Sequence, residues 1–292
     1  MSDNSSYAAP RHGVKQFFIT SKKYFGKLVG VNLIMILGNL PILFIVATLF
    51  GVTKAESHLP MKEVFGNLAF LYSEGNPDAH SMALFAISGI HYPVMVPTAL
   101  TYLFYGIGAL TMFTFGCVNA GTTYVLRNIA RGEPVSVWSD FIRAVKNNWK
   151  QALPFGVVDF LIISITVLNL SAGVNRGLGG FADAFVFWLS VILCVLFLLI
   201  RPYIYLQMVS FDLIIAKILK NSCIFLIVGF KRNAVALLGI LVVLAVEAIL
   251  VLAFRGFLIS LAVAAPLLIL FAALSYMTVF AAYFKIDEVM ID

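Results

Sequence analysis

The chain has 292 residues, of which 61% are hydrophobic and only 12% charged, and its mean hydropathy is +0.98. That balance excludes a soluble domain of this size, because too little polar surface is available to cover one. The formal net charge of +6 is not a nucleic-acid footprint: the cations lie between apolar runs, where membrane topology accounts for them, and no nucleic-acid partner is expected.

The first 27 residues are polar or amphipathic. In "VKQFFITSKKYFGKL", Val14, Phe17, Phe18, Phe25 and Leu28 share one face, interleaved with lysines. The run 28–50 that follows is too long for a signal-peptide h-region, so no cleavable leader is expected. Further apolar runs at 95–124, 152–172, 184–208, 234–254 and 257–280 match the length of about 20 residues that crosses a hydrocarbon core. The expected fold is all-α: a polytopic membrane bundle of six transmembrane helices with interfacial amphipathic helices. It divides into an N-terminal segment 1–27, a transmembrane domain 28–284 with an insertion at 51–94, and a tail 285–292.

Lysine and arginine alternate between connections. The N-terminal segment holds Arg11, Lys15, Lys22, Lys23 and Lys27, whereas 51–94 holds only Lys54 and Lys62 against Glu56, Glu63, Glu74 and Asp78. The next connection holds Arg127, Arg131, Arg143, Lys146 and Lys150; the one after it has Arg176 alone; the fifth has Lys217, Lys220, Lys231 and Arg232. Cationic connections stay in the cytoplasm, so both termini are expected inside and 51–94 outside. The last two spans are joined by a tight turn at Arg255–Gly256, and Lys285 is in the tail.

The amphipathic segments follow the same logic. In 51–94, Met61, Val64, Phe65, Leu68 and Tyr72 form an acidic-flanked face. In "ARGEPVSVWSDFIRAVKNNW", Pro134 and Ser136 are helix-start signals, and Trp138, Phe141, Ile142, Val145 and Trp149 form an apolar stripe. Arg143, Lys146 and Lys150 point largely elsewhere. Such a helix is expected to lie in the headgroup plane against anionic lipid, with Arg131 beside it, or to dock a partner protein. In "FDLIIAKILKNSCIFLIVGFKR", Phe211, Ile214, Ile215, Ile218 and Leu219 form a third stripe. The chain thus reads as three units, each an amphipathic helix followed by a helical hairpin.

Ionisable groups within spans are costly and invite a functional reading. Asp159 and Arg201 fall at similar depths on consecutive spans and are expected to pair; Glu247 falls near the midplane, with Asn32, Asn39, Asn119 and Gln207 as candidate partners. Glu247 is read either as a neutral group hydrogen-bonded across helices or as part of a proton or cation relay. Gly116 and Ala120 have the small-xxx-small spacing of close helix packing. Pro41, Pro154 and Pro266 are candidate kinks, and Pro202 is expected to leave that end of its span irregular.

Catalytic motifs are lacking. There is no phosphate loop, no HExxH and no Cys or His cluster with metal spacing, so no cofactor and no metal site are expected. His12, His58, His80 and His91 stand apart from one another, and "GVNRGLGG" is read as an outer turn. Cys117, Cys194 and Cys223 are expected to be small buried hydrophobes.

The segment "NAGTTYVLRNIARGEPVSVWSDFIRAVKNNWKQAL" (119–153), with "VNLIMILGNLP" (31–41) and "FDLIIAKILKNSCIFLI" (211–227), resembles the YesL-like bacterial integral membrane proteins. The connection 51–94 is longer than the corresponding loop of that family. The resemblance implies a multi-pass protein of the bacterial plasma membrane, associated with carbohydrate uptake and without an established activity. The expected function is non-enzymatic: a scaffold or accessory subunit whose partner is another membrane protein, such as a sugar permease. The alternative is a small-solute transporter or channel whose path is lined by Asp159, Arg201 and Glu247.

Overall fold

The computed structural model describes residues 13–58, 93–176, 180–253 and 263–290. Its elements in chain order are α1 (Val14–Lys23), α2 (Phe25–Gly38), α3 (Ile42–Leu49), β1 (Lys54–His58), β2 (Pro93–Pro97), α4 (Ala99–Ala109), α5 (Thr111–Arg131), α6 (Val137–Arg176), α7 (Phe181–Ser210), α8 (Ile215–Val228), α9 (Phe230–Ala253), a π-helical turn (Pro266–Leu270) and α10 (Phe271–Met290). Among the described residues, five helical stretches are long and apolar enough to cross a membrane: Ala99–Arg131, Val137–Val174, Phe181–Ser210, Phe230–Leu252 and Val263–Val289. The bent pair α2 and α3 makes a sixth if it counts as one span. Their outward side chains, such as Leu161, Ile165 and Leu168 on α6 or Leu238, Val242 and Ile249 on α9, are exposed and apolar. Hydrocarbon tolerates such surfaces and water does not. The chain is a helical membrane protein.

It divides into a larger unit (Met1–Asn39, Met112–Leu170, Phe185–Asp292) and a smaller one (Leu40–Thr111, Ser171–Ala184). In the larger unit the main core joins Leu28 and Val31 of α2, Val125, Leu126 and Ile129 of α5, Tyr203 and Leu206 of α7, Phe225 of α8, and Ala272, Tyr276 and Val279 of α10. A second cluster joins Ala120, Ala152, Phe155, Ile204, Tyr205, Met208 and Ile218. Helix α5 threads this unit along its small residues. A side chain at Gly116 would strike the Ala152 carbonyl and the Gly156 Cα of α6, and one at Gly121 would strike Phe141 and Val145. The small-xxx-small face is therefore a packing surface.

In the smaller unit, β1 and β2 form an antiparallel ribbon with Lys54 opposite Pro97 and His58 opposite Pro93. Thr98 and Thr101 make a reciprocal capping box at the start of α4. Both hydroxyls also donate to the Thr53 carbonyl, at 2.7 and 2.8 Å. Helices α3 and α4 pack through Phe44 and Phe104, edge to face at 5.0 Å, and Gly108 leaves room for Ile45.

Several expectations are corrected. The run 28–50 is interrupted: α2 ends at Gly38 and α3 restarts after Pro41, where the ring leaves no N–H for the preceding turn. Residues 95–97 belong to β2, and the second span starts at Ala99 and runs to Arg131. Helix α5 stops there because Gly132 takes φ 75°. The Gly132 and Glu133 N–H groups then donate back to Ile129 and Asn128 at 3.0 Å each, a Schellman closure.

The segment 138–149 is not a separate helix. It is the first part of α6, a single helix of 40 residues, about 60 Å long and twice the hydrocarbon thickness. The repeat of an amphipathic helix set apart from its span therefore holds for α1 and α8 but not for the middle unit. Helix α7 continues through Pro202 to Ser210, so that end of the span stays helical although Pro202 has no N–H to donate. The Met61–Tyr72 face and the turn at Arg255–Gly256 lie outside the described residues. The cysteines are free, with Cys117 and Cys194 half-buried and Cys223 exposed, not buried as expected.

Candidate functional site

Asp159 on α6 is fully buried. The single Nε–H of Arg201 on α7 is shared between its two carboxylate oxygens, at 2.9 Å to Oδ1 and 2.8 Å to Oδ2. One turn further along α7, the Tyr205 hydroxyl donates to Asp159 Oδ2 at 2.6 Å. The i, i+4 spacing of Arg201 and Tyr205 places both donors on one helical face. The guanidinium also lies over the Phe115 ring of α5 at 5.1 Å and the Tyr205 ring at 5.4 Å. Arg201 keeps a fifth of its side chain exposed, against none for Asp159. The arrangement neutralises a carboxylate inside the bundle and ties three helices together. Tyr205 and Phe115 were not anticipated, because aromatic residues in an apolar run carry no sign of which will face an ion.

Glu247 is half-buried on α9. The anticipated amides turn elsewhere. Asn39 and Asn119 donate to carbonyls of their own helices, Met35 and Phe115. Gln207 donates to Tyr203 O and to Ser222 Oγ at 2.8 Å. Asn32 grips the π-helical turn: its Nδ2 donates to the Pro266 and Leu267 carbonyls at 2.9 and 2.8 Å, and its Oδ1 accepts from Ala272 N–H at 3.0 Å. Among the described residues, no hydrogen bond or ion pair joins Glu247 to Asp159 or Arg201.

The basic connection is split in function. Phe141 and Val145 pack against α5 at Gly121, while Trp138 and Trp149 remain 63% and 50% exposed. Asp140 organises the helix start: its carboxylate accepts from Ser136 N–H at 2.9 Å and pairs with Arg143 at 2.7 Å. Arg143 also donates to the Tyr124 hydroxyl at 3.1 Å. Arg131 pairs with Glu133 at 3.0 Å. Lys146 and Lys150 are exposed, and no ion pair holds either among the described residues.

Arg127 was counted only as a topological charge. Its Nη1 donates to Val209 O at 3.0 Å and Ser210 Oγ at 2.9 Å, closing the C-terminal end of α7. Between these elements opens a polar pocket of about 390 Å³, lined among others by Tyr124, Arg143, Asn147, Lys150, Gln151 and Asp212. A second polar link lies deeper: the Tyr203 hydroxyl donates to Asn233 Oδ1 at 2.9 Å, and Asn233 donates to the Leu226 carbonyl.

Among the described residues, no group of three or more His, Cys, Asp or Glu could hold a metal ion. No curated protein and no solved structure matches the chain. Residues 95–170, from the end of β2 through α4 and α5 into the span of α6, match the family described as "Protein of unknown function, DUF624", the family of YesL-type proteins.

Proposed function

We propose that this chain is a non-enzymatic scaffold or accessory subunit of the bacterial plasma membrane, with six spans and both termini in the cytoplasm. The observation that carries the proposal is the closure of Asp159 and Arg201 on one another. Asp159 is inaccessible and held by Arg201 and Tyr205, and the polar pocket at the basic connection is lined by neither Asp159, Arg201 nor Glu247. A conduction path that used Asp159 and Arg201 would need them within reach of water or solute, whereas a scaffold needs only that they satisfy one another. The exposed Trp138, Trp149, Lys146 and Lys150 supply a docking face for anionic headgroups or for another membrane protein. The resemblance to YesL-like proteins points to a carbohydrate-uptake system, with a sugar permease as the partner class.

The test is purification of the whole chain in mild detergent, with identification of co-purifying proteins. A stoichiometric membrane partner is expected; recovery of the chain alone, with solute flux in reconstituted vesicles, would overturn the reading. The transporter reading is favoured by Glu247, which has no hydrogen-bond or ion-pair partner among the described residues, and by the interruptions at Pro41 and Pro266. It predicts flux that Glu247→Gln abolishes.

A further inference from the structure

A groove of about 350 Å³ runs between α1, the start of α9 and α10. Helix α1 is held against α10 by Phe17, which stacks on Tyr276 at 5.3 Å and meets Phe280 edge-on at 5.4 Å. Small residues, Ala236 and Gly239 on α9 and Ala281 on α10, are part of its lining, and a side chain at Gly239 would meet the Met277 sulfur. Its walls, including Phe18, Val235 and Met277, are apolar throughout. Apart from Lys231 and Arg232, no polar side chain is among its lining residues, so a polar peptide or a hydrated ion would be poorly paired along the groove. One end is different. Lys231 and Arg232, the first cations of α9, line it. Lys231 is exposed and has no ion pair among the described residues, whereas Arg232 reaches Glu288 at 3.1 Å. From Lys231 to Gly239 the groove follows α9 for about 12 Å, the descent from headgroup level into hydrocarbon.

We propose that this groove is a binding site for one anionic phospholipid, with its phosphate at Lys231 and Arg232 and the upper part of an acyl chain between α1, α9 and α10. The charge at one end and the apolar length of the remainder match an amphiphile oriented along a span. The volume falls near the lower limit of ligand sites, about 300–1,000 Å³, which suits part of one chain and not a protein segment. The site goes beyond the scaffold reading and does not depend on it, since a permease partner could be absent while the lipid remains.

The whole chain, stripped of lipid in detergent, would be titrated with phosphatidylglycerol and, separately, with phosphatidylcholine, and bound lipid counted by native mass spectrometry. One phosphatidylglycerol per chain is expected, bound several-fold more tightly than phosphatidylcholine. Lys231→Gln, an exposed position, should weaken phosphatidylglycerol about fivefold and leave phosphatidylcholine unchanged. Ala281→Phe should fill part of the groove and weaken both lipids about tenfold. Equal affinity for the two lipids, or Lys231→Gln binding phosphatidylglycerol as the unaltered chain does, overturns the proposal. So does a dimer of the delipidated chain that Ala281→Phe dissociates, which would make a second copy the occupant.

Discussion

Gly116 of α5 and Gly156 of α6 meet backbone to backbone: a Cβ on either would overlap main-chain atoms of the other. This contact sets how closely the two helices cross, and so where Phe115, the next residue, stands beside Arg201. No neighbouring side chain can yield, because the obstructing atoms are backbone. Gly116→Leu is expected to cost about 3 kcal/mol or to prevent folding. Gly106→Leu, at a position with open space around it, should leave the detergent melting temperature unchanged. Equal melting temperatures for both variants would remove Gly116 from the packing account.

The Asp159–Arg201 pair is asymmetric, and its mutants should be too. Arg201→Gln strands a carboxylate with no solvent access, a loss of about 3–5 kcal/mol. Asp159→Asn strands a guanidinium that keeps partial exposure and two aromatic faces, and should cost less. The double variant should cost less than the sum of the two. Additive losses in a thermal-stability cycle would show that the pair does not interact in the folded protein.

Asn32 is fully buried and closes the backbone of the π-helical turn with three hydrogen bonds. Asn32→Leu is close in size but satisfies none of them. Each orphaned buried group costs about 1–3 kcal/mol, so the variant should be among the least stable single substitutions in α2. Faster amide exchange at Ala272 in Asn32→Leu would report the opened turn; unchanged exchange would mean that the turn holds without Asn32.

Phe141 and Trp138 stack on each other at 6.2 Å but differ in burial, so substitution separates protein packing from lipid contact. Phe141→Asp places a charge against Gly121 of α5 and should destabilise the protein in detergent by about 2–4 kcal/mol. Trp138→Asp, at an exposed site, should leave detergent stability nearly unchanged. Comparable losses from both would show that Trp138 and Phe141 do not differ in what they pack against.

The orientation across the membrane rests on the Lys/Arg count of the connections. Single cysteines should be labelled from outside intact cells at Ser73 and protected at Ser136. The reverse pattern would invert the assignment of both termini.

Composition and period made the helical membrane class legible, because hydrocarbon imposes the same requirement on every residue of a span. The pairing of Asp159 with Arg201 was also legible, since charges at matched depth on consecutive spans have few other ways to be satisfied. Other features depended on contacts between segments remote in sequence. The stripe at 138–149 has the same period whether it faces lipid or a helix, and only the glycine opposite Phe141 decides that part of it faces α5. Asn32 was visible as a polar residue in a span, but its partner arises 234 residues away at the Pro266 carbonyl. Tyr205 became an ion partner, and Arg127 the closure of α7, through packing alone. Periodicity states which residues share a face; the tertiary structure decides what that face meets, because each such contact needs two segments whose approach is set by the smallest residues between them.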